Sequence, residues 1–156
     1  MEKLFKSTRG NQTPIDFYTS ILQGIASDGG LLVPDFDFEK KNLEDLLSLN
    51  YVDLATEIIS TFAPSDAKEA LHTACTQAYG EGLFCDEVVP VKKAGNVYVA
   101  ELYQGPTAAF KDMALSMLPR MMTLSLKKKG EEREVMILAA TSGDTGKAAL
   151  EGFKDV

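Results

Sequence analysis

Two short segments hold the residues best suited to chemistry. The first is Gly105-Pro106-Thr107-Ala108-Ala109-Phe110-Lys111-Asp112. Lys111 sits where an extended stretch ends and a helix begins, among Ala109, Phe110 and Met113. A helix N-terminus disfavours a cation, and apolar surroundings disfavour an ammonium further. An amine neutral part of the time attacks carbonyls and forms Schiff bases. The plainer reading, which local context alone favours, is a surface lysine paired with an acid such as Asp112. The second segment is Thr141-Ser142-Gly143-Asp144-Thr145-Gly146. Gly143 and Gly146 allow close backbone approach. The hydroxyls of Thr141, Ser142 and Thr145, with amides at a helix start, suit an anion. Simple helix capping by Ser142 or Asp144 explains the same residues about as well. Gly146-Lys147 also invites a phosphate-loop reading, which fails: the first glycine that pattern needs is replaced by Thr141, and Ala148 follows the lysine.

These segments need elements to position them. Thr13-Pro14 reads as a helix start, with Phe17, Ile21 and Ile25 on one face and a stop at Asp28-Gly29-Gly30. A short strand is expected near residues 4–6 and an extended stretch at Leu31-Leu32-Val33-Pro34. Helices follow over 42–49, over 51–62 with Leu54, Ile58 and Phe62 inward, and from a Ser65 cap to Gly80 with Leu71, Cys75 and Ala78 inward. The second half changes pattern. Val88-Val89-Pro90-Val91 and Val97-Tyr98-Val99-Ala100 are β-rich around Gly95-Asn96. A helix over about 110–127 contains Pro119, which predicts a kink or a restart. Residues 135–140 form a continuous apolar run, the pattern of a parallel strand buried on both faces, and a last helix begins near Asp144. The pattern is α/β: a helical N-terminal unit over residues 1–85, then from residue 86 to 156 the first part of a three-layer αβα parallel-sheet domain. A doubly covered sheet needs more strands than these, so the chain reads as the front part of a larger protein.

Composition narrows the class. The 156 residues are 45% hydrophobic and 25% charged, which places the chain among globular proteins rather than disordered ones. The net charge of −7 argues against a nucleic-acid partner. The one basic run, Lys127-Lys128-Lys129, reads as a solvated helix end. Cys75, Cys85 and His72 lack zinc-site spacing, so no metal is expected, and two cysteines make no disulfide framework. No apolar run suits a membrane span, and Met1-Glu2-Lys3-Leu4 does not look secretory. A cytoplasmic protein is expected.

Taken together, four segments resemble the threonine synthase family of fold-type II pyridoxal-phosphate enzymes. Ser7-Thr8-Arg9-Gly10 is similar to the family's opening motif, and Asp28-Gly29-Gly30-Leu31-Leu32-Val33-Pro34 to its glycine turn before a Val-Pro. Residues 105–112 are similar to its cofactor-lysine motif, and Ala140-Thr141-Ser142-Gly143-Asp144-Thr145-Gly146 to its substrate loop. Gln104 departs from the histidine common there. The resemblance implies conversion of O-phospho-L-homoserine and water to L-threonine and phosphate, the last step of threonine biosynthesis. It implies that Lys111 binds pyridoxal 5'-phosphate and moves protons, and that Thr141, Ser142, Gly143 and Thr145 grip the substrate carboxylate. Asp144 would face the cofactor's phenolic oxygen, sharing a proton with it, or turn away and cap its helix. The cofactor's phosphate loop and the partner of its pyridine nitrogen are expected after Val156, so this portion alone is expected to be inactive. The resemblance leaves a monomer or a homodimer open. The rival readings are another fold-type II enzyme, such as a dehydratase or a threonine-synthase-like phospho-lyase, and a noncatalytic stand-alone domain.

Overall fold

The computed structural model describes residues 2–80 and 82–156. They form two compact units: residues 1–73 with 121–133, and residues 74–120 with 134–156.

In the first unit, β1 (Leu4–Ser7) lies between β2 (Ile15–Asp16) and β3 (Leu32–Pro34), antiparallel to both. Phe5 opposes Ile15 on one side and Pro34 on the other. Helix α1 (Phe17–Gln23) starts later than Thr13-Pro14 suggests. Residues 15–16 are committed to the sheet, so Asp16 becomes the cap and accepts from the amides of Tyr18 and Thr19. Gly24, at φ 70°, ends the helix. The Asp28-Gly29-Gly30 turn lies beyond it, and Ile25, expected inside, is exposed. The Asp28 carboxylate organises this turn, accepting from Ser7 Oγ at 2.6 Å and from the amides of Gly30 (2.9 Å) and Asn11 (3.0 Å). These bonds hold its pKa below the ordinary value, the Ser7 bond most of all.

Helices α2 (Leu43–Leu47) and α3 (Tyr51–Ser60) are capped by Asn42 and Asn50. The buried residue of α3 is Thr56, whose hydroxyl bonds back to Val52 O at 2.8 Å, whereas Ile58 is exposed. Ser65 does not cap the next helix. It opens a 3-10 turn (Ser65–Ala67) entered from Pro64 without a side-chain cap, and α4 (Lys68–Tyr79) follows. Leu71, Cys75 and Ala78 on α4 are fully buried, as their spacing predicts.

The basic run ends α6 (Leu118–Lys129). Lys128 reaches Asp66 at 3.2 Å and Lys129 reaches Asp16 at 2.6 Å. Burial pushes the Asp16 carboxyl up, but hydrogen bonds from Lys129 and Thr19, with the lysine charge, outweigh it and hold the group at about 2 against an ordinary 3.8. A carboxyl depressed on folding adds stability above its unfolded pKa, and that stability is lost as pH falls through the folded value. Asp16→Asn is therefore expected to lower stability at neutral pH and to flatten the acid loss between about pH 4 and 2. Thermal unfolding across that range checks this, and an unchanged acid limb would contradict it.

In the second unit, β4 (Val91–Ala94) and β5 (Val97–Ala100) form a hairpin in which Ala94 opposes Val97 and Val91 opposes Ala100. The first strand was expected at 88–91. The two-residue turn Gly95-Asn96, with Gly95 at φ 61°, fixes the register and moves it to 91–94. The long helix expected from 110 breaks in two: α5 (Asp112–Leu115) ends, and α6 restarts at Leu118 with Pro119 in its first turn. Helix α7 runs over Asp144–Gly152.

Residues 135–140 do not form the expected buried parallel strand. They join no ladder among the described residues, and Met136 and Leu138 are 80% and 87% exposed. A strand buried on both faces needs strand neighbours on both sides. The sheets described contain three and two strands, and residues 135–140 are a strand of neither.

Candidate active site

The turn before Lys111 is tightly built. The Ala108 amide bonds Gly105 O at 3.0 Å, and Ala108 takes φ 56°, unusual for a residue other than glycine. Asp112 is 2% exposed, and its carboxylate accepts from the Thr107 amide at 2.8 Å and from Thr107 Oγ1 at 2.6 Å. Gly105 lies against it: a Cβ there would stand 2.6 Å from Asp112 Cβ and Oδ2. Only glycine fits that close approach.

Lys111 is the residue before α5 and is half-buried. Its Nζ lies 4.8 Å from the Phe110 ring centroid. Among the described residues it makes no ion pair. The paired surface lysine considered from the sequence is thus not what the structure has, because Asp112 is spent on Thr107.

The 141–146 turn leads into α7. Gly143 is the residue before the helix, and no side chain caps it. Capping by Ser142 or Asp144 therefore does not account for these residues. The Asp144 carboxylate is exposed at the first helical position, where the helix dipole favours an anion. Thr141 Oγ1 instead accepts from the Gly143 amide at 3.3 Å. Thr141, Ser142, Gly143 and Thr145 are exposed, and the first-turn amides of α7 have no acceptor within the helix. Gly146 is buried, and a side chain there would overlap the Thr141 methyl group.

The two segments belong to one compact unit and are tied together. Lys147 Nζ donates to Thr107 O at 2.9 Å, and Gly152 at the end of α7 packs onto the Leu115 carbonyl of α5. Sequence reading passed over Thr107 and Lys147 as members of this arrangement. The signal for Thr107 was present as a hydroxyl five residues before a carboxylate. Lys147 carried none, since its partner is a backbone carbonyl 40 residues away. A small cavity between α5 and α7, lined by Pro106, Asp112, Ser116, Arg120, Glu151 and Gly152, lies beside Asp112 and includes neither Lys111 nor the 141–145 turn.

Gln104, where a histidine is common in the resembling family, donates to Glu101 Oε2 at 3.0 Å. Glu101 also holds Lys92 at 2.9 Å, and that hydrogen bond, with the carboxylate charge, keeps the Lys92 ammonium more firmly protonated than usual.

An amine free of carboxylates and a turn of hydroxyls and amides suit a carbonyl-bearing cofactor and an anionic substrate. Comparison with known proteins bears on that. A family profile described as "Threonine synthase N terminus" matches residues 4–79. Threonine synthase of Pseudomonas aeruginosa is 42% identical over 158 residues, covering 95% of this chain. The chain resembles the N-terminal portion of threonine synthases. Human threonine synthase-like 1 is 37% identical over 143 residues, 88% of this chain and 19% of that protein. The crystal structure of pyridoxal-phosphate-bound threonine synthase from Brucella melitensis superposes with a TM-score of 0.85 at 35% identity, over 97% of this chain and 33% of that one. The chain spans about a third of the Pseudomonas protein, 32%. Over this region its mixed α/β fold is that of threonine synthases.

Proposed function

We propose that this chain is part of a threonine synthase converting O-phospho-L-homoserine and water to L-threonine and phosphate. The observation that carries this reading is the Lys111 amine, without an ion pair among the described residues while Thr107 takes Asp112, in the same unit as an exposed, uncapped 141–145 turn. Pyridoxal phosphate supplies the electron sink for bond changes next to the substrate amine. Lys111 would hold its carbonyl and, once its Nζ is free, would move protons between substrate carbons. The hydroxyls of Thr141, Ser142 and Thr145 and the Gly143 amide would bind the substrate carboxylate. Asp144, which caps nothing, would meet the cofactor's phenolic oxygen with a proton between them. The net charge and the neutralised basic run support a small-molecule partner rather than nucleic acid. No helix among the described residues is long and apolar enough to cross a membrane. Two cysteines, too few for a disulfide framework, support a cytoplasmic location. For the full protein we keep the division at residues 1–85 and 86–156 as its domain organisation.

The test is a product assay on the full-length protein with O-phosphohomoserine. Threonine and phosphate are expected in equal amounts. Phosphate with 2-oxobutanoate and ammonia in place of threonine would move the reading to a phospho-lyase. Within the turn, Ser142→Ala removes one donor to a carboxylate, so KM is expected to rise about tenfold with kcat little changed. An unchanged KM would take Ser142 out of the substrate site.

A further inference from the structure

Thr107 sits at the meeting point of three contacts. Its amide and its hydroxyl both donate to Asp112, and its carbonyl accepts from Lys147 Nζ. Asp112 is a fully buried carboxylate with no ion-pair partner among the described residues. Such a group is tolerated only where hydrogen bonds replace water, and here one residue supplies two of them. The pair closes the turn over residues 107–112, with Ala108 held in the left-handed region and Gly105 leaving room for the carboxylate. Lys111 lies inside that closed turn. Its own carbonyl is fixed from the other side, accepting from the amides of Leu115 (2.9 Å) and Ala114 (3.2 Å).

We propose that Asp112, clamped by Thr107, is a positioning residue for Lys111, and that Lys147 extends the clamp to the helix following the 141–145 turn. The proposal rests on the reading of Lys111 as the cofactor lysine. The Asp112 carboxylate holds the backbone of its neighbour, so that the Lys111 amine leaves the chain from one fixed point. Lys147 fixes that point relative to the first turn of α7.

The test uses the full-length protein with Thr107→Val, Thr107→Ser and Lys147→Met. Valine keeps the shape of threonine and removes the hydroxyl, whereas serine keeps the hydroxyl. Lys147 is exposed, so its replacement leaves folding intact. Hydrogen exchange of the peptide covering 105–112 is followed in cofactor-free protein. Borohydride labelling of Lys111, kcat and KM are followed in loaded protein. For Thr107→Val, exchange is expected to quicken and kcat to fall by about tenfold each, with KM within about threefold of wild type. Thr107→Ser should restore both, and Lys147→Met should quicken exchange by roughly threefold. Unchanged exchange and kcat in Thr107→Val, or equal losses in the serine and valine variants, would overturn the proposal. If Thr107→Val does not fold, unchanged exchange in Lys147→Met overturns it. Wild-type protein left unlabelled at Lys111 overturns the cofactor reading and this proposal with it. Labelled wild type with an unaffected Thr107→Val overturns the proposal alone.

Discussion

Lys111→Ala in the full-length protein should abolish the visible absorption of lysine-held cofactor and cut threonine formation by roughly 10²–10⁴-fold or more. The loss depends on which amines are available. Among lysines near the motifs, Lys92 is held by Glu101 and kept protonated, which makes it a poor nucleophile. Lys147 is bound to the Thr107 carbonyl. Among the described residues, Lys111 alone of these three has neither a carboxylate nor a carbonyl on its amine. Neither Lys92 nor Lys147 is placed to take its role, so the loss should not be partial. The measurement is an absorption spectrum of the purified variant after incubation with pyridoxal phosphate, paired with a threonine assay. A retained band with residual turnover above about 10% would show that another amine holds the cofactor.

Gly152→Ala should be the most damaging single-methyl change in the second unit. A Cβ at Gly152 would overlap the carbonyl oxygen of Leu115 and crowd its carbonyl carbon at 2.9 Å. Backbone cannot step aside as a flexible side chain does, so α7 must move off α5. Added bulk at a close-packed contact costs about 1–3 kcal/mol, and a backbone partner puts this case near the top of that range. The same movement would part the 141–145 turn from the Lys111 segment, since both elements carry the site. Two effects are expected together: a lower unfolding temperature, and a weaker hold on the cofactor at temperatures where the protein is still folded. Denaturant unfolding and a cofactor titration check both. Wild-type stability would mean that the helices separate freely and that the contact carries little.

Much of this was legible in the sequence because the cues were local. The helix start at Asp144, the hairpin turn at Gly95-Asn96, the restart at Pro119 and the buried face of α4 each depend on a few neighbouring residues. What escaped depended on partners far along the chain. Thr13-Pro14 has the chemistry of a helix start, but pairing of Ile15 and Asp16 with β1 took precedence and passed the cap to Asp16. Ile25 fits a helical face by spacing, but Gly24 had already ended the helix. The run 135–140 shows the limit most clearly. Its composition reports how a strand is meant to be buried, not whether the strands that bury it are present, and none of those described pairs with it.

The candidate site divides in the same way. Lys111 and the 141–146 turn stand out by residue type, and the resemblance assigns them roles. The environment of Lys111 could not be read locally, because Asp112 looked like its ion-pair partner. Five residues of separation hid the competing claim of Thr107, which the turn geometry decides. Asp144 could have capped its helix, and the structure leaves it uncapping and exposed.

One measurement bears most directly on the claim that these two segments make a pyridoxal-phosphate site. Full-length protein is loaded with the cofactor and reduced with borohydride, and the modified peptide is mapped by mass spectrometry. The account predicts a single pyridoxyl group on Lys111. Modification of Lys92 or Lys147 with Lys111 untouched would contradict it.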